Sequence, residues 1–205
     1  MKLAVVSLVF LVAACGSPSP NAPAAEAGTD SPPENAAGIE LTRRWTVDHA
    51  KSSLKFEGAQ TGTPFEGRFE KWQAEIVFDP EDLSQSSIDV TVDMSSAKTG
   101  DAQRDQALPA GDWFKTKEFP TARYRSADIM ETAPGKYVAR GELTIRGVTR
   151  ALDLPFSLDI DGPSGHATAE TSLARTDYGV GQGDFADGTW VAIDVKVKVD
   201  LWAVR

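Results

Sequence analysis

The sequence predicts a mainly β domain: an eight-stranded antiparallel sheet closed on itself, with one short helix-and-loop insertion. Three observations point there. Apolar residues recur with period two in segment after segment, the segments are joined by short Gly- and Pro-containing turns, and each offers one apolar face. Period two is the mark of half-buried strands. Consecutive hairpins with one apolar face suit antiparallel sheets, which lose their exposed edges on closing. A two-sheet sandwich is the competing architecture.

The 205-residue chain divides into three parts. Residues 1–14 carry Lys2 ahead of an apolar run from Leu3 to Ala14. That run is too short to span a bilayer and has the form of a signal-peptide core. Ala13 and Ala14 precede Cys15, the only cysteine, and Leu11-Val12-Ala13-Ala14-Cys15-Gly16 resembles the bacterial lipobox. The resemblance implies cleavage before Cys15 and acylation of its thiol, and two or more acyl chains on one residue anchor a protein firmly. With Cys15 so used, the mature domain has no thiol for a disulfide, a metal or a nucleophile. Residues 15–40 are mainly Ser, Pro, Ala, Asn, Gly and Glu, without apolar periodicity. Such a composition buries too little to fold and predicts a disordered linker. Gly16 and Ser17, with no Asp behind the cysteine, resemble the pattern of outer-membrane lipoproteins. The expected location is therefore periplasmic and lipid-anchored, on the outer membrane.

Residues 41–205 form the folded domain, enough for one real core. Leu54, Phe56 and Gly58 define the first inward set, and Ile88, Val90, Val92 and Met94 another. Tyr137, Ala139, Gly141, Leu143 and Ile145 follow, then Leu152, Leu154, Phe156, Leu158 and Ile160. Ala167, Ala169, Thr171 and Leu173 precede the longest run, Val191, Ile193, Val195, Val197, Val199, Leu201 and Ala203. Two strands are less regular. Phe65, Gly67 and Phe69 are odd-numbered and Trp72, Ala74, Ile76 and Phe78 even-numbered, so an inserted bulge residue is expected at Glu70-Lys71. Tyr124 is the inward residue of the segment around 122–129. Ala133-Pro134-Gly135-Lys136 and Asp161-Gly162-Pro163-Ser164-Gly165 are turns. Thr99 to Leu108 is helix-compatible, stopped by Pro109, and Trp113, Phe114 and Phe119-Pro120 predict a plug or lid across one end of the barrel.

An eight-stranded barrel is either filled by its side chains or holds one small ligand. Small inward residues (Gly58, Ala74, Ala139, Gly141, Ala167 and Ala169) favour a dry apolar cavity. Phe56, Tyr124, Leu143, Phe156, Val195 and Val197 are the larger residues expected to line it. The alternative is taper, in which small and large residues alternate to fill a curved wall.

Charge and composition exclude other classes. The formal charge of −9, one unit more negative without Lys2, suits neither nucleic acid nor anionic lipid surfaces. His49 and His166 are far apart, no Cys or carboxylate cluster accompanies them, and no metal is expected. No Gly-x-Ser-x-Gly elbow is present. Gly179-Val180-Gly181-Gln182-Gly183 leads into no helical pattern, so it is read as a flexible loop at the barrel mouth rather than a phosphate cradle. Arg104, Asp105, Arg175 and Asp177 are the polar residues singled out. The arginines either hydrogen-bond a ligand head group such as a quinone carbonyl or pyrophosphate, or pair with carboxylates that pin the helix to the barrel.

From Trp45 to Ala203 the chain resembles the YceI-like family of periplasmic lipocalin-fold proteins that bind polyisoprenoid lipids. The resemblance is carried in order by Val47-Asp48, Ser52-Ser53-Leu54-Lys55-Phe56 and Phe65-Glu66-Gly67-Arg68-Phe69, then Thr99, Arg104-Asp105, Leu108, Trp113-Phe114 and Phe119-Pro120. Gly141-Glu142-Leu143-Thr144-Ile145-Arg146-Gly147-Val148-Thr149 and Arg175-Thr176-Asp177-Tyr178-Gly179 complete it. Many members carry a histidine after the first long strand, and Gly58-Ala59-Gln60-Thr61-Gly62 has none. This looks like the subgroup with a Phe-x-Gly-x-Gln-x-Gly pattern, often found near membrane diheme b-type cytochromes. The resemblance implies a lipocalin-like barrel that is a non-catalytic carrier of a long isoprenoid, a polyprenyl lipid or a quinone, with no other cofactor. It also implies a b-type cytochrome as a partner. The competing classes are a structural stress lipoprotein with a filled barrel and an enzyme acting on an isoprenoid lipid.

Overall fold

The computed structural model describes residues 43–205; the signal peptide, Cys15 and the linker lie outside the described residues. β1 (Arg44–Val47) and β2 (Ser53–Gln60) follow one another along the same edge of the last strand, β11 (Asp194–Val204). β3 (Thr63–Phe69) pairs with β2, and β4 (Trp72–Val77) with β1. β1 and β2 therefore share one position in the wall, and β3 and β4 share the next. β5 (Ser87–Asp93), β7 (Thr121–Ala133), β8 (Lys136–Ile145), β9 (Val148–Asp161), β10 (Ser164–Ala174) and β11 complete an eight-position antiparallel ring, closed through β1. The two-residue β6 (Ala97–Lys98) pairs with β3. The sandwich is thereby excluded. β1 and β6 are too short to show a period in sequence.

The phase change at Glu70-Lys71 is a two-residue break rather than one bulge residue. There the wall position changes its neighbour from β2 to β1. The amides freed by the break are satisfied: Glu70 N–H donates to the Ser96 carbonyl (3.2 Å) and Lys71 N–H to Ser96 Oγ (3.0 Å). Two hairpins close with both central residues at positive φ, Thr61-Gly62 (48° and 79°) and Arg146-Gly147 (51° and 74°). That is the turn whose twist matches the flanking strands. The turn after β9 is tighter than the sequence suggested, because Ser164 already pairs with Asp161 around Gly162-Pro163.

α1 (Ala102–Ala107) lies inside the expected 99–108. Asp101 caps it, accepting from the amides of Gln103 (3.0 Å) and Arg104 (2.9 Å), and Pro109 follows its end. The final strand is regular from Val195, not from Val191. Its start is bent where Arg175 N–H and Nε take the carbonyls of Ile193 and Ala192, and Ile193 packs against Gly188 instead of facing the lumen.

Tyr124 on β7 shows how the wall handles a buried polar group. Its hydroxyl donates to the Ala139 carbonyl at 2.8 Å. Burial first, and Asp153 second, push its pKa up to about 12. A raised phenol pKa means the folded state prefers the neutral form. That stability is complete below about pH 10 and is lost as pH climbs through about 12. Tyr124→Phe should cost about 1 kcal/mol at neutral pH and lose less further stability between about pH 10 and 12 than the parent does. Parallel alkaline unfolding curves for the two proteins would remove this account.

Candidate functional site

The inside of the ring is hollow. Among the described residues no large side chain is fully buried, and the aliphatic residues that point inward along β8 to β11 keep partial exposure to an internal space. Protein interiors ordinarily close such gaps. Three chambers follow one another along the axis, of about 110, 130 and 110 Å³. The floor chamber shares Leu54, Val90, Leu154 and Val199 with the middle one. The middle one shares Phe69, Met94, Ile145, Leu173 and Val197 with the mouth chamber. Each approaches the size of the roughly 150 Å³ apolar cavity that stays dry and accepts benzene in another protein. Taper alone does not describe this lumen.

The two ends differ. The floor is aromatic: Trp45 donates its indole N–H to the Phe78 carbonyl (2.9 Å), and its ring lies where a Cβ on Gly165 would stand (2.8 Å). Phe78, Tyr137 and Phe156 pack beside it with ring centroids 5.2 to 6.2 Å apart. At the other end a half-open vestibule of about 390 Å³ shares Phe65, Leu108, Trp113 and Val191 with the mouth chamber. It adds Gln60, Thr99, Asp101 and Arg104.

Most of the residues expected in the cavity line it. Phe156, Ala167 and Ala169 belong to the floor chamber, Tyr124, Leu143 and Val197 to the middle, and Phe56, Gly58, Val195 and again Val197 to the mouth. Ala74, Ala139 and Gly141 do not. Ala139 is completely buried behind Tyr124. Gly141 is small because β7 crosses so closely that a Cβ would overlap the Arg125 carbonyl, beside the register shift at Ser126/Asp128. Gly58 lines its chamber but leaves little space, since the Phe65 ring stands 3.0 Å from where its Cβ would be.

The four singled-out polar residues separate. Arg104 lies over the Phe65 ring (4.6 Å) and donates to Gln60 Oε1 (3.0 Å), so it faces the vestibule. Asp105 accepts from Thr99 N–H (2.7 Å) and Thr99 Oγ1 (2.8 Å), fastening α1 to the segment after β6. These hydrogen bonds hold its carboxyl below the usual range. Asp177 is exposed. Arg175 is buried, and the carboxylate partner expected for it is replaced by five carbonyls, those of Val180, Gly181, Phe185, Val191 and Ala192. Burial pulls its guanidinium pKa down. The glycine loop it holds is at the mouth as expected but is not free, because the amides of Gly181 and Gln182 both donate to the Asp112 carbonyl (2.7 and 2.9 Å). Sequence reasoning missed Trp45 as the floor and did not place Gln60 in the vestibule. Gln60 stands in the Phe-x-Gly-x-Gln-x-Gly pattern, the one signal that marks it. Among the described residues no group of three His, Cys, Asp or Glu is arranged to hold a metal.

A closed antiparallel barrel with an apolar lumen, an aromatic floor and a polar mouth defines a lipocalin-like barrel. The YceI-like domain model matches residues 45–203, and the chain belongs to that family. Burkholderia cenocepacia BcnA is 31% identical, with a TM-score of 0.75 over 78% of this chain and 100% of that one. A polyisoprenoid-binding domain from Saccharophagus degradans shares the fold at 15% identity, with a TM-score of 0.62 over 78% of this chain and 97% of that one. A UPF0312 protein of Vibrio vulnificus is 30% identical over 106 residues, 51% of this chain and 56% of the relative. The chain thus spans about half the length of the curated relatives it matches.

Proposed function

We propose that this protein is a non-catalytic carrier lipoprotein that holds a long isoprenoid, a polyprenyl lipid or a quinone, with its tail along the lumen and its head in the vestibule. The observation that supports it is the chain of three apolar chambers ending in one polar mouth. Removing tail from water is worth about 0.8 kcal/mol per CH₂, so a narrow apolar channel binds by length. Arg104 and Gln60 offer donors to a quinone carbonyl or a phosphate at the vestibule. Lipidated Cys15 would keep the barrel on the periplasmic face of a membrane, the outer one by the residues after the cysteine, and a membrane b-type cytochrome is a fitting quinone-side partner.

Mass spectrometry of lipid extracted from protein purified out of its host membrane tests the reading. An isoprenoid at near one per chain is expected, and a lipid-free protein with the chambers empty would overturn it. Cys15→Ala, with the leader otherwise intact, should move the protein from the membrane pellet to the soluble fraction. A variant still requiring detergent would end the anchor proposal and leave the carrier proposal standing.

A further inference from the structure

The ring is unevenly zipped. β10 pairs with β11 along its whole length, from Ser164↔Val204 to Ala174↔Asp194, and β8 pairs with β9 from the Arg146-Gly147 turn down to Lys136↔Ser157. The ladder between β9 and β10 instead starts at Asp161↔Ser164 and stops at Phe156↔Ala169. Beyond that pair, residues 149–155 of β9 and 170–174 of β10 have no register with each other.

The stop coincides with one residue. A two-residue hairpin is flanked by a pair that exchanges both backbone hydrogen bonds, and such pairs recur at every second residue. Counting from Asp161↔Ser164, these are Asp159↔His166, Ser157↔Thr168 and then Pro155 opposite Glu170. Pro155 has no N–H to give, so the ladder ends where its donor is missing. The opposite edge of β9 is unaffected, because there the alternate residues do the bonding and Pro155 sits in a non-bonding position against Val138.

The unzipped stretch lies directly over the lumen. Leu152, Leu154, Thr171 and Leu173 flank it and line the middle chamber. Arg150 has the same inward phase as Leu152 and is exposed, whereas Val148, nearer the mouth, is more buried. An external groove of about 740 Å³ passes Pro155 and Glu170 and shares Phe156, Ala169 and Val199 with the floor chamber.

We propose that the β9–β10 slot is a lateral portal through which an isoprenoid tail enters and leaves the lumen sideways, and that Pro155 sets how far the slot extends. The proposal rests on the carrier reading. A tail that passes through the wall need not thread end-on past the vestibule and the loops held by Arg175.

The test is the rate at which tritiated geranylgeraniol, loaded on the full chain, transfers to phosphatidylcholine vesicles. Pro155→Val supplies the missing donor and should slow transfer roughly fivefold, the worth of one restored hydrogen bond, with retained lipid unchanged in the absence of vesicles. The pair Asp153→Cys and Ser172→Cys, in a chain with Cys15→Ser, should stop transfer when oxidised and restore it on reduction. Glu142→Cys with Ala151→Cys, at a pair already zipped on the other edge of β9, should leave transfer unchanged. Transfer that ignores both Pro155→Val and the oxidised cross-slot pair would overturn the portal while lipid retention upheld the carrier. If the cross-slot pair does not oxidise, the Pro155→Val rate alone decides. Failure of the parent chain to retain geranylgeraniol would count against the carrier reading itself.

Discussion

Val197→Trp should abolish lipid retention while leaving the delipidated protein as stable as its parent. Val197 sits midway along β11, opposite Phe56 on β2 and Thr171 on β10, and lines both the middle and mouth chambers. An indole there meets open space, so it blocks the path of a tail without displacing wall atoms. In a filled barrel the same change would overpack the core and cost roughly 1–3 kcal/mol. The two architectures thus differ in which measurement moves. Both proteins must be melted after delipidation, because bound ligand alone raises the melting temperature. Lys196→Ala, one residue away and pointing out to Glu170 (3.0 Å), is the control. An exposed pair of this kind is worth little, so neither lipid content nor melting should move much. A Val197→Trp protein that keeps its full lipid complement would remove Val197 from the channel.

The legible part of the fold was the part governed by side-chain alternation. The eight wall positions, the inward faces of β5 and β8 to β10, and the helix insertion all follow from period-two and capping signals. What stayed hidden depends on backbone geometry between distant segments. Gly141 and Ala139 looked like lumen residues because small size reads the same whether it leaves space or permits contact. Only the β7 crossing distinguishes the two. Val191 and Ile193 fit the alternation of β11, yet the bend there is imposed by Arg175, sixteen to eighteen positions away in its bonds to Val191, Ala192 and Ile193. Pro155 lies among the outward residues of a regular run. Its effect depends on which edge its missing donor would have faced, and that is fixed by the hairpin register.

Arg175→Ala should be the most damaging single change at the mouth. The guanidinium, 3% exposed, bonds five carbonyls belonging to three separate stretches: Val180 and Gly181, Phe185, and Val191 and Ala192. It also lies over the Trp113 ring at 5.5 Å, so it joins the loop after α1 to the loops before β11. No water-sized substitute reproduces one planar fork that reaches all of them, and each charge-assisted bond is stronger than a neutral one. Gly181 is shaped around it, because a Cβ at that position would overlap the guanidinium. The expected loss is about 3 kcal/mol or more, a fall of roughly 6–12 °C in melting temperature for a domain this size. Arg175→Lys should recover only part of it, since an ammonium has three donors and no fork. Hydrogen exchange should place the damage in residues 179–192, with the floor around Trp45 and Phe78 still protected. Retained lipid should drop with the mouth chamber, because Val180, Val191 and Ala192 line it. An Arg175→Ala protein with an unchanged melt and undisturbed exchange in 179–192 would show that the mouth is held together by its apolar packing alone.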